Sequence, residues 1–476
     1  MAHPLGGAVA RAAHRCGAWR GRLFDRGDRP AARRGSGGVN EYLPLKGVRI
    51  CDFTAVWAGQ TATMYLADMG AECIKVENPF IWNPMTRAAS PRINAMVAAI
   101  LPPWIAGHPP EPGPRPWNNS PAFIQVLRNK KSFTVDSRRP EGLEIVKQII
   151  RSSDIIAENL ALGTLEKLGL SDEAIRAERP DIIILHMPAF GRTGSYVEGR
   201  GYGAHIDSVA GSTILRGYRD SSPSDNAGIF AGDYWGGMHG AFALMAALRH
   251  RRRTGEGQVI EMAQVESSAH MFPQAALDAA WNGRAHHSVG NRSIEGFVPN
   301  GVFPTAGTDR WIAISCRSDQ EWRALVEFLG NPAWAASAAM ATVAGRAENE
   351  DALEEHLAQW TATRERDELF HALQAAGVTA GPVLHAGEAA EDPHLAATGA
   401  WKRLPATEDY PEVDWLRPAY RFTKSDIDLR TPPCLFGEHN DYVYRELLGF
   451  DEDAVERLRA EGHIASTFAP EALENG

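Results

Sequence analysis

The stretch Leu45–Glu77, LKGVRICDFTAVWAGQTATMYLADMGAECIKVE, decides the fold. Val48 to Phe53 has the length and apolar content of a strand. Thr61 to Met69 reads as a helix with apolar positions at Met64, Leu66 and Met69, and Cys73 to Val76 is a second β-rich run. Strand, helix and strand in so short a span make a βαβ unit, whose strands run parallel. The alternation continues outward with a strand at Ser132 to Asp136 and a helix at Arg139 to Arg151, opened by Pro140 in its first turn. A strand at Asp154 to Ala157, a helix around Ser171 to Ala177 and a strand at Ile182 to His186 follow. The pattern predicts a large Rossmann-like α/β domain, its parallel sheet covered by helices on both faces.

Between Asn78 and Asn129 the rhythm breaks. Pro102-Pro103-Trp104 and PPEPGPRPW, from Pro109 to Trp117, are too proline-dense for helix interiors or central strands, so a long loop or lid is expected. After Phe272, glycines 283, 290, 296 and 301 flank short polar stretches. A strand-like Trp311 to Cys316 and a helix Asp319 to Leu329 come next. Beyond His394 lie Pro-punctuated strands and a last helix, Ala454 to Glu461. A chain of 476 residues exceeds one compact domain. The expected division is a disordered basic extension (1–42), the large α/β domain (43–272), a linker with a smaller α/β domain (273–393), and a segment returning to the large domain (394–476).

Hydrophobic residues at 44% and charged residues at 23% fit a folded globular chain. The net charge of -10 argues against sequence-independent nucleic-acid binding and against broad attachment to acidic membranes. Residues 1–42 carry eight Arg against Asp25, Asp28 and Glu41, a balance of +5, which leaves -15 for the rest. That opening lacks the apolar core of a signal peptide, which leaves an organellar transit segment or, as we favour, a disordered extension. Cys16, Cys51, Cys73, Cys316 and Cys434 form no CxxC pair and no metal-ligand spacing, so a reduced cytoplasmic compartment and no bound metal are expected. His286-His287 and Glu355-His356 lack an HExxH context. No apolar run reaches the ~18 residues of a membrane span.

The turn after the first strand, TAVWAGQTAT, holds one glycine, Gly59, where the dinucleotide fingerprint needs three; Glu77 alone stands where a ribose-binding acid would. There is no Gly-Lys dipeptide for a phosphate loop and no GxSxG nucleophile elbow. The most informative segment is Gly232-Asp233-Tyr234-Trp235-Gly236-Gly237-Met238-His239-Gly240, followed by an Ala/Leu/Met-rich helix to Leu248, a basic run Arg249–Arg253, and Thr254-Gly255-Glu256-Gly257-Gln258. On residue chemistry alone Asp233 reads first as a helix N-cap. Gly236, Gly237 and Gly240 cost a helix up to about 1 kcal/mol each, so a ligand or a packed chain must approach the backbone there.

Taken together these segments resemble the class III coenzyme A transferases, the family of formyl-CoA transferase and carnitine CoA-transferase that also includes α-methylacyl-CoA racemase. The matching stretches are Leu45–Ile50 with Asp52-Phe53-Thr54, Ala58-Gly59, Ala67–Glu77, Asn129–Ser132 with Asp136, Asp154–Asn159, Gly191-Arg192-Thr193-Gly194, Gly232-Asp233, Thr254–Gln258 and Gly437-Glu438-His439, in family order over about residues 43–460. The resemblance implies that Asp233 is the nucleophile of a transfer of CoA from an acyl-CoA to a carboxylic acid. The route runs through aspartyl-acyl anhydride and aspartyl-CoA thioester intermediates, with CoA thioester as substrate and no resident cofactor. It implies CoA contacts at Val56, Ala58, Val135, Arg138, Asn159, Leu160, Lys167, Leu168, Arg200 and Tyr202. Arg138, Lys167 and Arg200 are then expected to form a positive pocket in an acidic surface. It also implies an interlocked homodimer.

Several positions depart from the family pattern. Ala55 and Trp57 replace a His and a Gln often seen in formyl-CoA transferase, Ser195 replaces a Pro, Gly203 replaces an acid, and Gly290-Asn291-Arg292 is the nearest match to a glycine flap. Trp57, Phe190 and the Trp/Pro-rich insertion point to an acyl group larger or more apolar than formate or oxalate. Two alternatives stay open. In a 2-methylacyl-CoA racemase, Tyr202 would stand at the position of the proton-transferring His, with His205 nearby. In a non-catalytic acyl-CoA-binding protein, Asp233 only caps its helix.

Overall fold

The computed structural model describes residues 42–92, 113–225 and 230–474. The expected basic extension at 1–42 lies almost wholly outside the described residues. The chain divides into two compact units, one of residues 40–213, 227–285 and 396–476, the other of 286–395 with 214–226. The helix at 273–282 therefore groups with the larger unit, although the chain was expected to leave it at 273.

Elements of the larger unit, in chain order, are β1 (Arg49–Asp52), α1 (Ala58–Asp68), β2 (Glu72–Glu77), β3 (Lys130–Thr134), α2 (Pro140–Ser152), β4 (Ile155–Glu158), α3 (Asp172–Glu178), β5 (Ile183–His186), α4 (Gly203–Val209), α5 (Ala231–Thr254), β6 (Val259–Glu261), α6 (Gln264–Ala269) and α7 (Pro273–Asn282). Six strands form one sheet in the order β3-β2-β1-β4-β5-β6, every neighbouring pair parallel. Because side chains alternate across a strand, each apolar strand feeds two cores. Cys51, Ile74, Ile156 and Ile184 face a core closed by Ile145 and Ile149 of α2 and Ile175 of α3. Ile50, Cys73, Ile155, Ile183 and Leu185 face the opposite one, closed by Ala62 and Leu66 of α1 and Leu244 and Leu248 of α5. The expected α/β sheet with helices on both faces is the observed one.

Three local expectations change. The flanks of the Pro/Trp-rich stretch are packed inward rather than laid over a sheet edge: Trp82 and Trp117 are buried with Phe436 and Phe468, and Phe123 and Val126 with Trp57. The helix expected to end at Leu248 continues to Thr254, because Arg251 is held by Asp154 at 2.8 Å and by Asp181, while Gly255 in the left-handed region terminates the helix. β6 was not anticipated. Gly257 permits it, since a Cβ there would sit 2.2 Å from the Ile182 carbonyl oxygen.

The smaller unit has an antiparallel sheet β7 (Asn300–Pro304), β8 (Trp311–Ser315) and β9 (Thr379–Val383), with β8 in the centre. Its core gathers Ile312 and Ile314 with Trp322, Leu325, Leu353 and Leu369. The anticipated helix is α8 (Asp319–Phe328), capped by Ser318, whose hydroxyl accepts from the Glu321 amide at 3.2 Å. Near the C-terminus, α9 (Glu452–Ala460) packs Val455 and Leu458 into the first core of the larger unit.

Candidate active site

Between β1 and β4 the strand order reverses direction, and in open parallel sheets ligands settle at the carboxyl ends of the strands flanking such a switch. The two loops there are tied together. Asn159, after β4, accepts the Ala55 amide on Oδ1 at 2.6 Å and donates Nδ2 to the Ala55 carbonyl at 2.9 Å. Gly59 makes room for this, because a Cβ would lie 2.7 Å from Asn159 Oδ1. The next residue of the turn, Val56, sits at φ 54, a costly conformation for a β-branched side chain. Beneath the turn, buried Asp52 receives Lys130 at 3.1 Å and the Thr54 and Thr63 hydroxyls at 2.5 and 2.8 Å. Burial would raise its carboxyl, but Lys130, Lys75 and the two hydroxyls outweigh that and hold it well below the usual carboxylate range.

α5 lies across α1 on a small-residue face. A Cβ on Gly237 would meet Thr61 Cβ at 2.5 Å and the Ala58 carbonyl oxygen at 2.9 Å; one on Gly240 would meet Met187 Sδ at 2.9 Å. Of the two approaches expected at these glycines, the structure has the packed chain.

Asp233 does not cap this helix. Phe230, at φ 50, occupies the N-cap position, and Asp233 is the third helical residue, its amide bonded to the Phe230 carbonyl at 3.1 Å. Its side chain is buried, and no donor among the described residues reaches its carboxylate. Burial, reinforced by the nearby Asp207 carboxylate, pushes the Asp233 carboxyl up to about 7. One wall beside it is aromatic. Trp57 stacks on Phe123 (5.3 Å) and Tyr234 (6.2 Å), leans on Phe230 (5.7 Å), and donates Nε1 to the Ala122 carbonyl at 2.8 Å. The Tyr234 hydroxyl is held by Gln125 Nε2 at 2.9 Å.

The profile of CoA-transferase family III matches residues 45–440. A succinyl-CoA–D-citramalate CoA-transferase of Chloroflexus aurantiacus is 30% identical, covering 88% of this chain and 97% of that protein. The chain belongs to CoA-transferase family III. A succinate–glutarate CoA-transferase of Agrobacterium fabrum is also 30% identical, covering 86% of this chain and 96% of that protein. A solved CaiB/BaiF family protein from Brucella suis superposes with a TM-score of 0.73 at 29% identity, over 85% of this chain and 99% of that one.

In this family III enzyme the positions expected to contact CoA follow the carboxyl ends of the strands. Val56 and Ala58 follow β1, Val135 and Arg138 follow β3, Asn159, Leu160, Lys167 and Leu168 follow β4, and Arg200 and Tyr202 follow β5. The side chains of Ala58 and Val135 are fully buried in the two cores, leaving only their main chains for a ligand. Arg138 is engaged by Asp136 at 2.8 Å, whereas Lys167 and Arg200 are exposed and have no ion-pair partner among the described residues. Glu77 binds no ribose: it is buried in a two-point pair with Arg87. His205 Nδ1 accepts the Tyr202 amide at 3.2 Å at the start of α4, a capping role. Phe190 packs on Tyr196, and the side chain of Arg292 in the smaller unit is taken up by Glu350, Asp351 and Glu354.

One group escaped the sequence reading. His186, at the end of β5, is buried between Glu158 (Nδ1, 2.6 Å) and Asp172 (Nε2, 2.8 Å), while the second oxygen of Glu158 accepts the Leu160 amide at 2.6 Å. These bonds anchor the loop that carries Leu160, Lys167 and Leu168. Burial alone would lower the imidazole's pKa; Glu158 and Asp172 outweigh it, and the net direction is upward. A raised histidine contributes fully below its ordinary value near 6.5 and loses that contribution as pH rises through its folded value. His186→Phe is therefore expected to lower stability by about 1–3 kcal/mol at pH 6 and by less at pH 9, read from urea unfolding at the two pH values. Equal losses at both would show that the ring acts by packing alone.

Proposed function

We propose that the enzyme moves CoA from an acyl-CoA to a carboxylic acid with Asp233 as the nucleophile. The observation that carries this reading is a buried carboxylate at the start of a long helix that caps nothing and accepts no hydrogen bond from the described residues. A side chain kept in that state weakens the fold when ionised and is primed for chemistry. The carboxylate oxygen attacks the thioester carbonyl, the C–S bond breaks, and CoA leaves as thiolate. The thiolate then attacks the aspartyl carbonyl of the anhydride and releases the donor acid as carboxylate. The acceptor carboxylate reverses both steps, with no net proton transfer. The loops after β1, β3, β4 and β5 are the proposed CoA seat, with Val56 and Leu160 as apolar walls and Lys167, Arg200 and Arg138 toward phosphates, the last sharing its charge with Asp136. The Trp57 wall supports a partly apolar acyl group. The test is a panel of acyl-CoAs and acids, with CoA exchange followed by mass spectrometry and hydroxylamine trapping. Transfer without any adduct on Asp233 would sink the mechanism.

The proposal includes a homodimer. α7 buries none of its residues, and Trp281 on it is 78% exposed, while Phe242, one turn after the exposed Met238 on α5, is 76% exposed. Large apolar side chains bared on α5 and α7 mark contact surfaces. Trp281→Glu with Phe242→Glu is expected to shift the mass seen by sedimentation from dimer toward monomer; a wild-type monomer would refute the assembly.

A further inference from the structure

Beside Asp233 lies a second buried carboxylate, and the backbone is shaped to bring the two together. Asp207 is on α4, 3% exposed. A Cβ on Gly203, the first residue of α4, would lie 2.3 Å from Asp233 Oδ2. A Cβ on Gly232, next to the nucleophile on α5, would lie 2.7 Å from Asp207 Oδ1 and 2.5 Å from Ser268 Oγ. Each helix thus has a glycine beneath the other's carboxylate, and a Cβ at either place would displace the carboxylate it faces. Two like charges buried side by side weaken a fold, so this reciprocal arrangement calls for a functional reason.

We infer that Asp207 is a positioning residue for the transfer reaction, set against Asp233 so that the free carboxylate is disfavoured relative to the neutral covalent adducts. The inference rests on the reading of Asp233 as nucleophile. When Asp233 attacks the thioester, its negative charge departs with the CoA thiolate as the C–S bond breaks, and the resulting anhydride is neutral. The repulsion from Asp207 is then relieved, so the acylated enzyme gains relative to the free one. Among the described residues nothing else near Asp233 does this. α1 presents Ala58 and Thr61, α6 presents Ser268 with Glu266 turned outward, and α5 itself adds the Tyr234 hydroxyl. On α4, His205 is exposed and its Nδ1 is taken by the Tyr202 amide. Among the described residues Asp207 is the one charged group that moves the Asp233 carboxyl, and it moves it in the same direction as burial.

The test is Asp207→Asn, which keeps shape and removes charge. With the best donor from the acyl-CoA panel, the acid limb of kcat/KM against pH is expected to move down by about half a pH unit or more as Asp233 returns toward ordinary acidity. The fraction of enzyme trapped as the Asp233 adduct during turnover is expected to fall several-fold. A folded variant with an unmoved acid limb and undiminished adduct overturns the inference while leaving Asp233 as nucleophile. Full transfer activity in Asp233→Asn would instead overturn the underlying reading. A measurement on the unaltered protein guards against misfolding of the variant: 13C NMR of labelled Asp carboxyls should show one group titrating near neutrality, and no such group would also overturn the inference.

Discussion

Asp233→Asn is expected to lose at least about a thousandfold of CoA transfer while making the protein more stable at pH 8. The two effects share one cause. In the folded enzyme burial and Asp207 push the carboxyl from 3.8 up to about 7. A raised carboxylate binds its proton more tightly folded than unfolded, so its destabilising effect is absent below about pH 4, grows as pH rises, and is complete above about 7. A rise of that size sets a ceiling of about 4 kcal/mol, and the unbonded amide of Asn offsets part of this, so a gain of order 2–4 kcal/mol at pH 8 is expected, with none at pH 4. Urea unfolding of both proteins at the two pH values measures it. In the wild type, kcat/KM should fall tenfold per pH unit below about pH 7, because only ionised Asp233 attacks. Activity of Asp233→Asn within tenfold of wild type would remove Asp233 from the chemistry, and superimposable stability curves would remove the strained carboxylate.

What the sequence disclosed follows the range of the interactions involved. The βαβ beginning at Leu45 was legible because apolar periodicity and turn residues are local, and the parallel sheet follows from it. The glycines of α5 were legible as a demand for close approach, but not which surface approached: Thr61 and Ala58, more than 170 positions upstream, carry no local mark of that contact. The pairing of Asp207 with Asp233 was hidden as well, although only 26 positions separate them, since Gly203 and Gly232 explain each other only once α4 and α5 are placed. Asp233 itself looked like a cap because Asp ahead of a helix usually is one. Phe230, in an unfavourable left-handed conformation, displaces it from that duty. His186 left no signal, because Glu158 and Asp172 lie on other elements, 28 and 14 positions away. The Pro/Trp-rich stretch misled for a different reason: proline density forbids regular structure but does not forbid burial, and Trp82 and Trp117 are core residues.

Glu77 shows how far such a hidden partner reaches, and it sets the largest structural effect expected here. Arg87 meets both its carboxylate oxygens at 2.7 Å, donates to Asn118 Oδ1 and the Cys434 carbonyl at 3.1 Å each, and lies 5.7 Å from the Phe436 ring centroid. Ser132 adds its hydroxyl to Glu77 at 2.5 Å, and Asn118 Oδ1 accepts the Phe436 amide at 3.0 Å. One guanidinium thus joins the end of β2 to the segments around 118 and 434. Burial would raise the Glu77 carboxyl; Arg87, Lys75 and Ser132 outweigh it and hold it below its ordinary value. Arg87→Met removes the strongest of the groups that oppose burial there and leaves only Lys75 and the Ser132 hydroxyl, so about 3–5 kcal/mol of stability should go at pH 7. The contribution of a depressed carboxylate is present above its unfolded value near 4.5 and lost as pH falls through the folded one, so the deficit should shrink toward pH 3. Arg87→Met with Glu77→Leu should recover most of the loss, because an apolar pair leaves no charge buried alone, although Asn118 and the Cys434 carbonyl still lose a donor. A double-mutant cycle by urea unfolding separates the cases: strong coupling means the pair is the linchpin of these three segments, and additive losses mean that Arg87 acts through Asn118 and the Cys434 carbonyl instead.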